Sequence, residues 1–260
     1  MITESFDPRS REIITPEQAI PPDALALAKE WNLESFIVFF SHKLLSALTE
    51  SGVIESLHPL LRIGSAAGKS PIFRVKDSRI GVALSGIGAP AAAGVLEELR
   101  VQFGTRRFLV FGSCGALKPI PEGRLILPTA AVRDEGTSYH YAPAAEEILL
   151  PNAERLAPIL DALEVPYVRG KTWTTDAFYR ETEENLRRRV EQGCVCVEME
   201  CSALQALCDF RGLEFFSFLY SADSLHGSWD RRILGDLEAD SRLRYFALAK
   251  EIVLRLEGRD

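Results

Sequence analysis

Apolar runs of strand length alternate with helical patterns along most of this chain, and this alternation limits its fold more than any other feature. The runs of strand length are 36–40, 72–76, 80–84, 108–111, 125–132, 167–173, 195–198 and 215–220. The helical patterns cover 42–53, 90–102, 152–163, 181–191, 201–211 and 240–257. Strands that alternate with helices form a mainly parallel sheet covered on both faces. We therefore predict an α/β, single-domain three-layer fold: a mixed, mainly parallel β-sheet with helices on both faces.

The beginning of the chain differs in composition from the rest. Residues 1–33 are rich in proline and acidic residues and are predicted to form an N-terminal arm. Residues 34–260 show no internal repeat, low-complexity tract or linker, so they are predicted to form one domain. The five cysteines are an odd number, which favours reduced, buried thiols over a disulfide framework. Cys194 and Cys196 have only one residue between them and no histidine nearby, so we expect no metal site.

The charge balance argues against two classes of partner. Lys and Arg total 30 and Asp and Glu total 37, which gives a formal net charge of −7. Duplex nucleic acid and anionic lipid bind basic faces, so we expect neither nucleic acid nor membrane as a partner. The chain begins without the basic and apolar segments of a signal peptide. No apolar run reaches the roughly 20 residues that span a bilayer. The sequence therefore favours a cytoplasmic protein.

Two predicted strand ends are rich in glycine. In open α/β sheets, ligands bind beyond the carboxyl ends of the strands. One strand is followed by SGIG at 85–88, which leads into a helix, and another by GSCG at 112–115. Glycine lets a backbone approach a ligand closely, and a helix N-terminus offers free N–H groups to an anion. Each segment alone favours a tight strand-to-helix turn over a ligand loop, but together they indicate an anion or sugar pocket.

Two other strand ends carry carboxylates. Glu198 and Glu200 are two residues apart, so an extended backbone points both to one side, with Met199 opposite. Carboxylates accept hydrogen bonds from sugar hydroxyls and favour positive charge on a sugar ring. The alternative is a pair of solvated acids. Asp223 follows an apolar strand, where partial burial would raise its pKa and suit it to donate a proton. The alternative there is a helix N-cap.

Six segments resemble one known family, the nucleoside phosphorylase I superfamily. It includes the hexameric purine nucleoside phosphorylases, the uridine phosphorylases and the methylthioadenosine nucleosidases. The segments are 85–99, 112–117 (GSCGAL), 132–143, 174–182, 197–204 (VEMECSAL) and 221–223 (SAD), in the family's order and spacing. The resemblance covers 34–257. It implies cleavage of the N-glycosidic bond of a nucleoside through a ribosyl cation-like transition state, by phosphate in the phosphorylases and by water in the nucleosidases.

The resemblance also implies roles for individual residues. It assigns the catalytic acid to Asp223, ribose binding to Glu200, Met199 and His140, base binding to Phe178 and Glu198, and phosphate binding to Ser113, Gly88 and Arg74. An acid at Asp223 has a chemical reason, because a purine leaves readily only when its ring nitrogen is protonated. A core aromatic is the alternative for Phe178, and a structural histidine for His140. In the hexameric enzymes a residue like Arg74 reaches a neighbouring subunit.

The expected phosphate ligands are only partly present. The family's first strand normally ends in a Gly-Asp-Pro-x-Arg loop, whereas this chain has FFSHK at 39–43. The arginine that usually precedes GSCG is replaced by Val110. Two cationic ligands are therefore missing, and a dianion without bidentate partners binds less well. His42 and Lys43 are the candidate replacements near the first strand.

The nucleobase predicted from the resemblance is a purine. Uridine phosphorylases generally lack an acid at the position of Asp223. They recognise uracil with a glutamine and an arginine where this chain has Thr182 and Glu184. Both differences favour a purine.

We therefore predict a purine-preferring nucleoside phosphorylase, a pentosyltransferase of purine salvage that forms free base and pentose 1-phosphate. The resemblance implies inorganic phosphate as co-substrate, no cofactor, and a homo-oligomer, dimer or hexamer. A hydrolytic nucleosidase and a uridine phosphorylase remain alternatives, although no glutamate follows the first strand to activate water. A non-catalytic nucleoside-binding protein is a third, which the carboxylates at 200 and 223 argue against.

Overall fold

A computed structural model describes residues 1–64 and 70–258. The predicted domain, 34–260, therefore includes residues outside the described part. The strands are β1 Ser35–Phe39, β2 Ile54–Ser56, β3 Arg62–Ile63, β4 Ser70–Pro71, β5 Phe73–Val75, β6 Ile80–Leu84, β7 Arg107–Ala116, β8 Leu125–Asp134, β9 Glu147–Leu149, β10 Tyr167–Thr175, β11 Cys194–Glu198 and β12 Glu214–Ser224. The helices are α1 Pro16–Ala19, α2 Pro22–Ala28, α3 His42–Glu50, α4 Ala89–Phe103, α5 Ser138–Tyr141, α6 Ala153–Ala162, α7 Glu183–Glu191, α8 Cys201–Arg211 and α9 Ala239–Leu256.

One large mixed sheet forms the centre of the molecule. Its strand order is β11-β10-β8-β12-β7-β1-β6-β5-β2, with β9 paired to β8. The central pairs β12–β7, β7–β1 and β1–β6 are parallel, whereas β12–β8 and β5–β6 are antiparallel. The end of β7 also pairs with β11 in the antiparallel sense, so the strands from β7 round to β11 close on themselves. This closure brings the carboxyl ends of β7, β11 and β12 together.

Helices cover both faces of the sheet, as the alternating pattern predicts. On one face, α2, α4 and α8 contribute to a hydrophobic cluster with the buried side of β1 and β7. On the other face, α3, α6 and α9 pack on the opposite side of the same strands. Buried apolar side chains on both faces explain the near-continuous apolar runs of the parallel strands. The predicted α/β fold, with a mixed sheet between helices, is confirmed.

Local sequence signals set the ends of the helix that follows SGIG. Gly88 precedes α4 with a φ of 100°, and Pro90 lies in its first turn, where a missing N–H costs nothing. Gly104 ends the helix in the left-handed conformation, which glycine adopts without steric penalty. The helix thus starts directly at the glycine-rich strand end, with its N-terminus at the same edge of the sheet as GSCG.

Several elements differ from the sequence prediction. The short strands β2, β3, β4 and β9 were not expected, because two or three residues give too little pattern to detect. The strand predicted at 108–111 continues as β7 through GSCG, since its end pairs with both β12 and β11. The arm contains α1 and α2, both in contact with α4. Within the described residues, no helix is long and apolar enough to cross a membrane.

Candidate active site

The closure of the sheet places β11 and β12 on either side of the end of β7. Gly115 in β7 is paired with Val197 of β11 and with Asp223 of β12. A Cβ at Gly115 would lie 2.6 Å from Leu225 Cδ1 and 3.3 Å from Asp223 Oδ1. A glycine at this position therefore leaves room for the Leu225 and Asp223 side chains, which a larger residue would push aside. The β-bulge between Ser221 and Asp223 turns the aspartate into this space.

A cavity of about 160 Å³ opens at this junction, and we call it the acidic cavity. Its lining includes six of the predicted site residues, namely Ser113, Phe178, Glu198, Met199, Glu200 and Asp223. Four carboxyl groups face it, because Glu181 joins Glu198, Glu200 and Asp223. No lysine or arginine is found among the described residues of this lining. The fold thus brings the predicted base residues, and Met199 and Glu200 of the predicted sugar residues, into one site.

Asp223 is buried and lines the acidic cavity. The indole Nε1–H of Trp229 donates a hydrogen bond of 3.0 Å to Asp223 Oδ2. Trp229 is positioned by a short loop in which Ser224 and Asp230 exchange two backbone hydrogen bonds. Burial raises the pKa of the Asp223 carboxyl, while the bond from Trp229 opposes that rise. The aspartate is therefore a partly buried acid with one oxygen fixed, and it is not the N-cap considered from the sequence.

Glu198 ends β11 and binds the start of α8. Its Oε2 accepts hydrogen bonds of 2.7 Å from the backbone N–H groups of Glu200 and Cys201. Its Oε1 accepts from the hydroxyls of Thr172 and Thr174 in β10. Burial is the largest influence on its pKa and raises it, while the hydrogen bonds from the Thr174 hydroxyl and from the Cys201 and Glu200 N–H groups oppose that rise. Both oxygens are thus engaged by the protein, so Glu198 lines the predicted base site mainly as a structural group.

Glu200 connects the carboxylate segment to the glycine-rich loop. The Gly88 backbone N–H donates a hydrogen bond of 2.6 Å to Glu200 Oε1. Burial, and next the nearby Glu198, raise the pKa of Glu200 to about 8. The strand ends at Glu198, so the two carboxylates do not share the extended backbone that would point both to one side. Gly88, predicted to approach phosphate, instead orients the predicted ribose ligand.

Phe178 and Glu181 lie on one segment that lines the acidic cavity. Phe178 is 37% exposed and packs edge-on against Tyr179, with ring centroids 5.0 Å apart. Glu181 was not singled out from the sequence, where it reads as the start of a helix; α7 begins only at Glu183. Burial, and next the charge of Asp223, raise the pKa of Glu181 to about 7. Its place three residues after the predicted base aromatic is the signal that would have found it.

Two predicted residues lie away from the acidic cavity. Arg74, on β5, pairs with Glu55 at 2.5 Å, and its guanidinium lies 4.8 Å from the centroid of the Trp31 ring. His140, on α5, lines a separate depression between the N-terminal arm, α4 and α8. Within one described chain, therefore, neither side chain reaches the residues predicted to share its ligand.

All five cysteines are buried with free thiols. Cys114 lines the acidic cavity, but burial raises its pKa well above the usual value, so the thiol stays protonated. Across the described parts of the chain, no group of three or more His, Cys, Asp or Glu side chains could hold a metal ion.

The fold is an α/β protein with a mixed sheet whose strand ends carry carboxylates and glycine-rich segments, and sequence comparison gives its family. The sequence model of the phosphorylase superfamily matches residues 42–253, so the chain belongs to this superfamily. The resemblance inferred from the six segments is confirmed.

Individual relatives agree with this assignment. The chain is 34% identical over 133 residues to a guanosine phosphorylase of Halorubrum lacusprofundi, across 50% of this chain and 54% of that protein. It is 33% identical over 158 residues to a uridine phosphorylase of Haemophilus influenzae, across 54% of this chain and 62% of that protein. The matched regions thus span between half and two thirds of these relatives. The crystal structure of a purine nucleoside phosphorylase from Toxoplasma gondii superposes with a TM-score of 0.70 at 21% identity, covering 94% of this chain and 96% of that one. This last likeness shows the fold.

Proposed function

We propose that the protein is a nucleoside phosphorylase that prefers purines, a pentosyltransferase from a purine nucleoside to inorganic phosphate. One observation carries the proposal: the acidic cavity holds a buried acid, Asp223, and the ribose pair Met199 and Glu200, with Phe178 along the same wall. This arrangement offers a proton donor and a carboxyl group for sugar hydroxyls in the same cavity. The relationship to guanosine and uridine phosphorylases supports the same reaction.

The reaction follows from these positions. The bond between the sugar C1′ and the purine N9 breaks, and its electron pair goes to the purine. Asp223 delivers a proton to N7 of the base, so that a neutral purine leaves. The Glu200 side chain, whose pKa is raised to about 8, hydrogen-bonds the sugar hydroxyls and holds the ring in place while the bond breaks. An oxygen of phosphate then bonds to C1′, which gives pentose 1-phosphate. The raised pKa of buried Asp223 favours the protonated form that this role needs.

The contacts of Thr182 and Glu184 support a purine as the base. These two residues stand where uridine phosphorylases have the glutamine and arginine that bind uracil. The Thr182 hydroxyl accepts a hydrogen bond from Asn185 N and caps α7. Glu184 pairs with Arg187 on the exposed side of the same helix. Glu181, by contrast, faces the cavity and has an acceptor for the N1–H of a 6-oxopurine such as hypoxanthine or guanine. We therefore include a preference for 6-oxopurines in the proposal.

Hydrolysis is the second candidate, and one observation favours it. The acidic cavity has four carboxyl groups and no cation among its described lining residues, which disfavours a phosphate dianion within it. Water as the nucleophile would avoid this difficulty. In nucleosidases, however, the glutamate that activates water follows the first strand. The four carboxyl groups of the acidic cavity are all distant in sequence from β1, which argues against hydrolysis.

Both candidates are tested by one set of incubations. Inosine, guanosine, adenosine, methylthioadenosine and uridine are each incubated with and without phosphate, and free base is followed by chromatography. Phosphate-dependent release of hypoxanthine or guanine is the expected result. Release of the base at the same rate with and without phosphate would refute phosphorolysis and indicate hydrolysis. Release of base from uridine alone would contradict the purine preference. Binding without any release would identify a nucleoside-binding protein.

The Asp223→Asn variant tests the catalytic acid. Loss of one proton transfer costs about 100-fold to 10,000-fold in rate, so we expect purine release to fall by about this factor with little change in nucleoside binding. Asp230→Asn changes an exposed acid on the loop that follows β12 and is the matched control. An unchanged rate in Asp223→Asn would refute the assignment.

A further inference from the structure

The side chain of Trp229 contacts the proposed acid without joining the described lining of the acidic cavity. Its indole Nε1–H donates a hydrogen bond of 3.0 Å to Asp223 Oδ2. Asp223 and Gly115 line the cavity, whereas Trp229 is not among its described lining residues. The indole is therefore placed to act on a substrate through the aspartate rather than by direct contact.

Main-chain hydrogen bonds, rather than burial, hold the loop that carries Trp229. Ser224 and Asp230 exchange backbone hydrogen bonds of 2.9 and 2.8 Å, which close the loop on itself. Leu225 N donates to Ala116 O at 2.8 Å, which ties the start of the loop to the end of β7. Trp229 itself is 60% exposed. An indole that lies mostly outside the core gains little from apolar burial, so core packing does not account for its position.

The bond from Trp229 distinguishes the two oxygens of the Asp223 carboxyl. A protonated carboxyl donates through its hydroxyl oxygen, and its carbonyl oxygen accepts. Because Oδ2 accepts from the indole, the proton of the neutral acid is favoured on Oδ1. Oδ1 lies beside Gly115, 3.3 Å from where a Cβ of that residue would stand. The hydrogen bond thus places the proton on the oxygen next to the cavity wall.

The same bond favours the products of the proton transfer. When Asp223 protonates the purine, the O–H bond at Oδ1 breaks and its electron pair stays on the carboxylate, while an N–H bond forms at N7. The negative charge that develops is shared with Oδ2. A hydrogen bond to a charged acceptor is roughly twice as strong as one to a neutral acceptor. The indole bond therefore strengthens as the proton leaves, which lowers the barrier to the transfer.

We propose that Trp229 is a positioning residue for this proton transfer: its indole N–H keeps the proton on Asp223 Oδ1 and stabilises the carboxylate that forms. The inference rests on the proposed function for the reaction, but the hydrogen bond can also be measured without turnover. The role affects the rate of cleavage and not the affinity for the nucleoside, since the described lining of the cavity does not include Trp229.

Other charged groups around Asp223 set the background for a pH test. Burial is the largest influence and raises the pKa of Asp223, the bond from Trp229 lowers it, and the charge of Arg232 lowers it further. The charge of Asp230 raises this pKa. The other titratable groups described in the lining of the same cavity are Cys114, Glu181, Glu198 and Glu200. A substitution of Trp229 alters none of these groups, so a change in the pH profile reports the indole bond.

Single-turnover kinetics of Trp229→Phe test the role. Phenylalanine keeps an aromatic ring but has no N–H. With saturating phosphate, we expect the rate of inosine cleavage to fall by about 10-fold, less than on loss of the acid itself, and KM to change by less than about 2-fold. Tyr167→Phe is the matched control, because it also removes a donor to an aspartate, Asp161, at the end of β10 away from the cavity.

The pH dependence of that rate gives a readout that a purely structural role would not move. Cleavage needs the protonated acid, so the rate falls as the pH rises through the pKa of Asp223. The indole bond holds this pKa down, so its removal should shift the fall to higher pH by about 1 pH unit. Each profile is recorded in the Glu181→Gln background, which removes the titration of that neighbour. Tyr167→Phe should leave the position of the fall unchanged.

Nuclear magnetic resonance of the indole N–H groups tests the bond without turnover. The chain has three tryptophans, and Trp173 Nε1–H donates to Asp134 Oδ2 at 2.9 Å, so its signal serves as an internal control. The Trp229 signal should shift with pH as Asp223 ionises, and the Asp223→Asn variant should abolish this shift. The Trp173 signal should be the same in both proteins.

The inference and the proposed function fail in different ways. An unchanged rate and pH profile in Trp229→Phe, in an enzyme that releases base, would overturn the positioning role and leave the function standing. A slower rate without a shift of the pH profile would overturn it too, since a structural role explains that result. A Trp229 signal that is the same in the wild type and in Asp223→Asn would also overturn it. A wild type that releases no base, with an indole signal that follows Asp223, would refute the function and leave the hydrogen bond established.

Discussion

At the scale of single residues, the Glu181 side chain is the group that would distinguish a 6-oxopurine from adenine. It faces the acidic cavity with Asp223, and burial raises its pKa to about 7, so its charge changes at physiological pH. As a carboxylate it accepts a hydrogen bond from the N1–H of a 6-oxopurine. Adenine has no hydrogen on N1 and presents a lone pair there, which a carboxylate repels. Sites that pair a polar group with the substrate discriminate strongly against analogues that lack the partner.

The Glu181→Gln variant tests this role through the pH profile. The ionised form is the acceptor, so kcat/KM for inosine should rise as the pH increases through about 7. The glutamine cannot ionise, so that rise should disappear and the preference for inosine over adenosine should fall by about 10-fold or more. Glu183→Gln, an exposed acid at the start of α7, is the control. A wild-type profile in Glu181→Gln would show that Glu181 does not contact the base.

At the scale of elements, the junction between β11 and α8 sets the position of the ribose carboxylate. Glu198 accepts two backbone N–H groups from the start of α8 and two threonine hydroxyls from β10. These bonds connect a strand, its neighbour and a helix N-terminus through a single buried side chain. Glu200 then projects from the same turn to the Gly88 N–H at the start of α4.

Substitution of Glu198 should therefore lower the stability of the fold. Glu198→Ala leaves four buried donors without their acceptor, and we expect the free energy of unfolding to fall by about 3 kcal/mol. Glu191→Ala removes only an exposed ion pair with Arg187 and should change it by less than about 0.5 kcal/mol. Urea unfolding followed by circular dichroism measures both. Equal effects would mean that the junction does not depend on Glu198.

At the scale of the whole molecule, the opening of the acidic cavity exposes apolar side chains. Tyr179 is 93% exposed, Ile87 68% and Trp229 60%, and all three lie around the cavity or its lining residues. Exposed apolar groups that lie together mark interaction surfaces. We propose that a second copy of the chain covers this opening, in line with the homo-oligomer expected from the sequence. In such an assembly Arg74 or His140 would act in a neighbour's site.

Sedimentation velocity tests the assembly. We expect the wild type to sediment as a dimer or hexamer at micromolar concentration. Tyr179→Lys should shift it toward the monomer, because a charge in an apolar interface loses its hydration. Leu149→Lys changes an equally apolar exposed residue on β9 and serves as the control. A monomeric wild type would rule out the assembly and the roles it gives to Arg74 and His140.

The parts of the fold that depend on local pattern were predictable. Strand β6 was placed with its exact ends, and α8 likewise, because burial on both faces and a clear helical period leave a strong local signal. The extension of β7 through GSCG was not predictable in this way. Glycine and serine have little preference for strands, and this segment is extended only because β11 and β12 pair with it from distant parts of the chain.

The sequence by itself determined the family, the order of the elements and the strand ends at which ligand-binding residues stand. It also determined which of those residues carry carboxylates. Only the tertiary structure decided how these groups interact: Gly88 donates to Glu200, Trp229 to Asp223, and Glu181 joins the cavity. The physical reason is that the pattern of apolar and polar residues reflects interactions between residues close together in the chain. Hydrogen bonds and charge interactions at the site join segments that are far apart in the chain and that only the folded sheet brings together.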